Sequence, residues 1–424
     1  MASEGIEIDT VALPTGVTGN QVLTLTNLGS TTPVAAIVIV SQASAAGTPA
    51  SDMVVSIGFT DGVEANTTCV GCSAEHNVGT TDDHRTATAG LIDIKSAGTG
   101  ISVGAATFNA FGSGSLTINI TNAFETAFIA QIWSFYGASV SKASFPYNAT
   151  GTQDTAQDIT SVGFASDLVF CATSNSAEGG AGANSELGFG FADNAITQKS
   201  FCYAGSNGQA TSSTGGQMSS NRVVANCNAT GSLSWALELS AIDASGFTVT
   251  PRDGAGGNVI FLCIKFNAAS SHVEAYTSPT STGADATTGF GYAPIFVGGF
   301  ITAQTAIDTA ATDGKGSAFG LFGISDSQDG MTCWHEQDNV GTSNCQSQAN
   351  DLAMDLLEHD GTDHLISSSS SLDADGFTIT YSTVQASALQ GAIVAVQDDA
   401  AVSSIQNLLM GENLGKSLLK GANL

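Results

Sequence analysis

The sequence predicts an all-β protein built from three tandem β-sandwich domains, jelly-roll-like, with a short C-terminal helical tail. The chain has 424 residues, more than the ~250 to 300 at which one hydrophobic core usually stops growing. Hydrophobic residues make up 42% of it and charged residues only 11%, which favours short strands and small-residue turns over charged surface helices. Finally, one pattern of landmarks occurs three times along the chain.

Each copy of the pattern opens with an apolar strand, at 37–40, 168–170 and 295–297. A strand of glycine and aromatic residues follows, and it leads to an aspartate. These aspartates are Asp61, Asp193 and Asp326. About ten residues after the aromatic comes a cysteine, which we interpret as a framework position of the repeat. The three cysteines are Cys69, Cys202 and Cys333.

The second half of each copy begins at a Gly-X-Thr strand and closes with a continuous apolar strand. The glycines are Gly114, Gly246 and Gly376, so the spacings are 246 − 114 = 132 and 376 − 246 = 130. The closing strands lie at 128–133, 259–264 and 392–396. We therefore expect an N-terminal arm at 1–33, β-sandwich repeats at 34–137, 138–267 and 268–398, and a tail at 399–424.

The tail carries apolar residues at nearly helical spacing. One interpretation is that it packs back on the third domain, and the other is that it docks on a neighbouring subunit in an assembly. The residues concerned are Ile405, Leu408, Leu409 and Leu418.

The net charge of −28 arises because 10 Lys and Arg stand against 38 Asp and Glu. Binding to nucleic acid depends on clustered basic residues, so we expect no nucleic-acid partner. The chain starts MASEGIEIDTVALPTG, without a basic and then apolar segment, and nowhere contains a run of ~18 apolar residues. We therefore expect synthesis in a cytoplasm without a signal peptide, and no membrane insertion.

No catalytic, cofactor-binding or metal-binding residue is predicted. Nucleotide, hydrolase and zinc-protease motifs are missing from the sequence. A tetrahedral zinc site needs four ligands, and that number is supplied by Cys69, Cys72, His76 and His84. The two histidines, however, do not have the regular spacing of a second ligand pair. A polar group at 359–364 and the sequence at 334–336 could hold a cation or a glycan, or be solvated loop residues.

The other cysteines leave two alternatives open. Cys202 with Cys227, Cys333 with Cys345, and Cys171 with Cys263 could form disulfides within the repeats. Alternatively, all of them are buried free thiols.

A short motif near the end of the second and third copies resembles a known group of proteins. It reads Asp375, Gly376, Phe377, Thr378 in the third copy and Ser245, Gly246, Phe247, Thr248 in the second. It is similar to the multi-domain virion structural proteins, of decoration, tail or fibre type, of tailed phages and related archaeal viruses. The resemblance implies a non-enzymatic virion component that binds copies of itself, other virion proteins and a host surface glycan.

The main alternative is a cell-surface or secreted adhesin or carbohydrate-binding module built from the same tandem sandwiches. Such a protein would use aromatic surface residues for contact, and Trp334, Tyr203 and Tyr292 are the candidates. A glycan hydrolase is a third class, and it would require two carboxylates that face each other across a groove.

Overall fold

The computed structural model describes residues 4–137, 140–149, 151–176, 180–254, 257–267, 269–311, 318–326 and 328–398. Within these ranges the protein is almost entirely β, and all strand pairs are antiparallel, so the all-β prediction is confirmed. The helical tail predicted at 399–424, with its Ile405, Leu408, Leu409 and Leu418, lies outside the described residues.

The first unit contains one short 3₁₀ helix, at Glu64–Asn66, and the strands that follow in chain order. They are β1 (Gly5–Ala12), β2 (Gly19–Thr24), β3 (Pro33–Gln42), β4 (Ala50–Ser51), β5 (Met53–Thr60), β6 (Thr68–Ala74), β7 (Asp83–Thr88), β8 (Ile92–Lys95), β9 (Ser102–Gly112), β10 (Ser115–Asn122) and β11 (Phe128–Tyr136).

The second unit follows after a short connection. Its strands are β12 (Ser141–Asn148), β13 (Gln157–Ile159), β14 (Leu168–Thr173), β15 (Gly180–Ala183), β16 (Ser185–Asp193), β17 (Gln198–Gly205), β18 (Thr214–Ser219), β19 (Val224–Cys227), β20 (Leu233–Asp243), β21 (Gly246–Arg252) and β22 (Asn258–Lys265).

The third unit completes the described chain. Its strands are β23 (Ala269–Thr277), β24 (Gly283–Thr288), β25 (Pro294–Thr302), β26 (Ala318–Ser325), β27 (Asp329–Glu336), β28 (Cys345–Asn350), β29 (Asp355–Leu357), β30 (Asp363–Asp373), β31 (Gly376–Thr383) and β32 (Gln390–Asp398).

Each unit is a sandwich of a large and a small sheet, and the strand order is the same in all three. In the second unit the large sheet is β12-β22-β14-β16-β17-β18 and the small sheet is β13-β21-β20-β19. In the first and third units the large sheets run β1-β11-β3-β5-β6-β7 and β23-β32-β25-β26-β27-β28, each with one further strand from another unit. The small sheets there are β2-β10-β9-β8 and β24-β31-β30-β29.

The N-terminal segment differs from the predicted arm. β1 pairs with β11 along its whole length, and β2 pairs with β10, so residues 5–24 supply edge strands to both sheets of the first unit. β12 and β13 hold the same places in the second unit. Half of each of these edge strands faces solvent and is polar, so the strands do not form continuous apolar runs in the sequence.

The large sheets are buried on both faces, because each separates two hydrophobic cores. Side chains alternate across a strand. In β3, Ile37 and Ile39 point into a central core shared by all three units, whereas Val38 and Val40 point into the first unit's own sandwich core. All eight residues of β5 are consequently buried. The three units therefore surround one common core with their large sheets and carry their small sheets on the outside.

The glycines of the Gly-X-Thr pattern lie at the hairpin turn before the last strand of each small sheet, with Gly114 inside the turn and Gly246 and Gly376 as the first residue of the strand. A Cβ at Gly114, Gly246 or Gly376 would lie 2.1, 1.8 or 1.9 Å from a backbone carbonyl oxygen of a neighbouring segment. Such a distance is far inside van der Waals contact, so the backbones would have to separate. The repeated glycine is therefore a close-approach position.

We expect Gly246→Ala to lower the free energy of unfolding by about 1–3 kcal/mol, because the new methyl group would overlap the Ile159 carbonyl oxygen. Denaturant unfolding followed by tryptophan fluorescence measures this change. The matched control is Gly341→Ala, where a Cβ has no atom within 4 Å. Equal stability of the two variants would contradict this role for Gly246.

Candidate functional site: the junctions between the three units

The three units contact one another in a cyclic order. The first strand of each unit packs on strands near the middle of the preceding unit's large sheet: β12 on β5 and β6, and β23 on β16 and β17. The cycle closes because β1 packs on β25, β26 and β27 of the third unit. The arrangement is a pseudo-threefold ring formed within one chain. Each unit contacts both of the other units.

The same cycle is followed by strand pairing at the sheet edges. β15 of the second unit pairs antiparallel with β7, extending the first unit's large sheet. β4 of the first unit pairs with β28 of the third, and Ala311 of the third unit forms an isolated bridge to Gly216 in β18. These segments occupy equivalent loops of the three units. β4 lies between β3 and β5, β15 lies between β14 and β16, and Ala311 lies between β25 and β26. One edge of every large sheet is thereby covered, which removes a site of nonspecific strand pairing.

Two of the three repeated aspartates found in the sequence, Asp61 and Asp193, form hydrogen bonds across these junctions. The Asp61 carboxylate accepts the backbone N–H of Ser144 at 3.1 Å, and the Asp193 carboxylate accepts that of Val273 at 3.0 Å. Both donors lie on the first strand of the following unit. At the remaining junction, the Asn27 side-chain amide donates to Gln328 Oε1 at 2.5 Å. Hydrogen bonds to a carboxylate are stronger than those between neutral groups, so they fix the register between units.

A buried polar cluster joins all three units inside the central core, and we call it the three-unit cluster. It consists of Asp83 from the first unit, Ser185 and Tyr203 from the second, and Glu336 from the third. None of the four is more than 1% exposed. Gly205 leaves room for them, since a Cβ there would lie within 3 Å of Ser185 Oγ, Glu336 Oε2 and Asp83 Oδ1.

The cluster forms a chain of three contacts between its two carboxyl groups. The Ser185 oxygen lies 2.9 Å from Asp83 Oδ1 and 3.0 Å from the Tyr203 oxygen, and the Tyr203 hydroxyl donates to Glu336. The two hydroxyls supply only two protons, and a carboxylate is solely an acceptor. The Ser185 hydroxyl donates to Asp83 and the Tyr203 hydroxyl donates to Glu336, so each carboxyl group accepts one hydrogen bond within the cluster.

Burial makes both carboxyl groups weaker acids. It raises the pKa of Asp83 to about 7, whereas the Ser185 hydrogen bond acts to lower that pKa. Burial also raises the pKa of Glu336 well above its usual value, and the Asp83 charge raises it further. The low-dielectric core therefore favours the protonated form of each carboxyl group. All four groups are sealed from solvent, so the cluster serves the internal closure of the ring.

The structure brings together histidines that the sequence left apart. The buried ring of His335 in β27 lies 5.5 Å from that of His359 and 5.9 Å from that of His364, centroid to centroid. His364 Nδ1 is 3.2 Å from Glu358 Oε1. Among the described residues, no three His, Cys, Asp or Glu side chains are placed to hold a metal ion.

The cysteines are all buried in the structure. Cys202 and Cys227 share one small cluster of buried residues within the second unit. By contrast, Cys345 pairs with Glu336, an odd number of residues from Cys333, so the two thiols face opposite sides of the sheet. Cys345 accordingly lies in the central core and Cys333 in the third sandwich core. The predicted Cys333–Cys345 pairing is therefore wrong.

Strand register also corrects the repeat at Cys69. A Cβ at Gly58 would meet the carbonyl oxygen of Leu91, the residue before β8, and a Cβ at Gly190 would meet that of Val223, the residue before β19. Because β8 and β19 are equivalent strands, Gly58 and Gly190 occupy equivalent positions. They pair with Cys69 and Ser200. Cys202 therefore corresponds to Gly71, two residues after Cys69. Cys69 and Cys202 therefore do not share a position in the repeat, although each pairs with a glycine of the neighbouring strand.

Two of the three aromatic residues predicted at the surface are fully buried. Tyr203 lies in β17 and Trp334 in β27, and both have 0% exposure in the central core. The Trp334 indole N–H donates to the Val54 carbonyl of the first unit at 2.7 Å. Tyr292 is half-buried beside Phe290.

Comparisons with known proteins give no family. No protein-family model matches the chain, and a search of curated proteins finds no match. Across the described part of the chain, the structure contains no helix with the length and apolar character needed to cross a membrane.

Proposed function

We propose that the chain is a non-enzymatic structural protein of a virion, an exterior decoration, tail or fibre component that assembles in many copies. The observation that carries this proposal is the closed ring of three sandwiches. The buried polar groups of the ring form hydrogen bonds between units. They are Asp61, Asp193 and the three-unit cluster. A rigid block with internal threefold pseudosymmetry suits a repeated position in a symmetric shell or tube.

The open edges of the small sheets support assembly with further copies. β2 and β24 each pair on one side only among the described residues, and neither contains Lys or Pro, the residues that usually protect such edges. Val22, in the middle of β2, is 65% exposed. Strand addition at this edge would join the small sheets of two copies by backbone hydrogen bonds.

We expect the purified protein to form a homo-oligomer at micromolar concentration, measured by light scattering coupled to size exclusion. Val22→Glu should raise the dissociation constant at least about tenfold, because it places a charge on the open edge. Val63→Glu is the control, since Val63 is also exposed, at 49%, but lies outside the strands. A monomeric wild-type protein would contradict assembly, whereas an unaffected Val22→Glu oligomer would contradict only this edge.

Electron microscopy of the native source material tests the location of the protein. Copies arranged regularly on a capsid or tail are the expected result. Isolated molecules bound to cells or glycan would instead favour the adhesin class. Trp334 and Tyr203 are buried, so they could not serve as its surface contacts.

A further inference from the structure

A cavity of about 290 Å³ lies at the junction of the first and second units. The first unit contributes Thr68, Val70 and Ala87 to its lining, and the second contributes Tyr147, Val259 and Ile260. No charged side chain is among the described lining residues, although the chain as a whole carries 38 acidic residues. The cavity is therefore mainly apolar and electrically neutral.

One polar group in this lining lacks a partner. Thr68 is 2% exposed, and within the described part of the chain no group hydrogen-bonds its hydroxyl oxygen. Thr68 and Val70 lie on one face of β6, and Val70 belongs to the central core, so this face is turned toward the second unit. A buried hydroxyl without a partner is costly, and such groups usually find one.

The corresponding place at another junction is filled by the protein itself. There, Gln131 on β11, the last strand of the first unit, reaches β27 of the third unit. Its side-chain amide donates to the Gly330 carbonyl at 2.9 Å and accepts from the Thr332 hydroxyl at 2.9 Å. In the junction with the cavity, Ile260 on β22, the last strand of the second unit, faces Thr68 and Val70 of β6 instead. Isoleucine has no amide, so the polar contact is missing at this junction.

We propose that this cavity is a binding site for a small, uncharged, mainly apolar molecule whose single amide or hydroxyl group pairs with Thr68. The bound group takes the place that the Gln131 amide holds at the other junction. Ions are excluded because the lining offers no opposite charge to offset their loss of hydration. The apolar remainder of the ligand packs against Val70, Val259 and Ile260.

The test uses benzamide as the ligand, followed by ligand-observed NMR on the full chain. Benzamide combines one carboxamide with an apolar ring, and we expect a dissociation constant of about 1 mM. Benzoate has nearly the same shape but a negative charge, and it should bind at least about tenfold more weakly. This comparison separates recognition of a neutral group from general apolar binding.

Three variants locate the site. Thr68→Val keeps the shape of the side chain but removes the hydroxyl, and should weaken benzamide binding about fivefold. Ile260→Gln introduces the amide found at position 131, and should weaken benzamide binding by pairing with the Thr68 hydroxyl in place of the ligand. Thr288→Val, on the exposed strand β24, should bind as the wild type does. Thermal melting of each variant establishes that it is folded, and Thr68→Val alone suffices if Ile260→Gln does not fold.

The proposal is overturned if the wild type shows no benzamide binding up to about 10 mM. It is equally overturned if folded Ile260→Gln and Thr68→Val both bind benzamide with wild-type affinity. Binding that is equal for benzamide and benzoate would contradict the assigned ligand chemistry.

Discussion

Replacing Trp334 by alanine is expected to lower the free energy of unfolding by about 3–5 kcal/mol, as large-to-small changes in a fully buried core do. The indole is 0% exposed and packs on Phe319, with ring centroids 5.2 Å apart. It also links the third unit to the first through its hydrogen bond to Val54. Denaturant unfolding followed by circular dichroism gives the value.

Trp334→Phe divides this effect into two parts. Phenylalanine keeps most of the apolar volume and removes only the N–H donor, so a loss of about 1–2 kcal/mol is expected. Tyr292→Ala, a half-buried aromatic outside the junctions, is the control and should cost less than Trp334→Ala. A loss below about 1 kcal/mol for Trp334→Ala would show that the central core does not hold the ring together.

Stability should fall as the pH rises from about 4 to above 7, by an amount of the order of 4 kcal/mol from the three-unit cluster. The pKa of Asp83 is raised to about 7 in the folded protein from an ordinary value of 3.8. A raised carboxyl pKa means that the folded state binds the proton more tightly than the unfolded state. The contribution is therefore complete below pH 3.8 and is lost as the pH rises through about 7.

Asp83→Asn removes the titrating group while keeping a polar side chain next to Ser185. Denaturation midpoints of the variant should change much less with pH than those of the wild type. Asp158→Asn, at an exposed position on β13, should keep the wild-type pH dependence. If wild type and Asp83→Asn lose stability equally over this range, Asp83 is not the group responsible for the pH dependence.

Strand content could be predicted from the sequence because it depends on local patterns. The apolar runs at 37–40 and 392–396 are indeed strands, and the glycines at 114, 246 and 376 mark corresponding turns. A run with no polar alternation indicates a strand buried on both faces. Such a run does not say whether the elements that cover its two faces come from the same unit.

The junction residues could not be predicted in the same way. Asp83, Tyr203 and Glu336 are separated by more than a hundred residues each, and they meet only because the units form a ring. In the sequence, Glu336 beside Trp334 and His335 looks like a polar loop, whereas it is the last residue of a buried strand. The sequence pattern aligned Cys69 with Cys202, which is two residues out of register. Spacing alone cannot detect such a shift, because it leaves the side chains on the same face of the strand.

The closure of the ring has a consequence for the order in which the protein folds. Trp334 and Val54, which hydrogen-bond across the junction of the third and first units, are 280 residues apart in the chain. During synthesis the first unit can pair its own strands early, but the central core cannot close until the last unit emerges from the ribosome. Folding should therefore show a slow final step, limited by the docking of the third unit onto the waiting first unit. Until that step, apolar faces of the large sheets remain open to water and to other nascent chains.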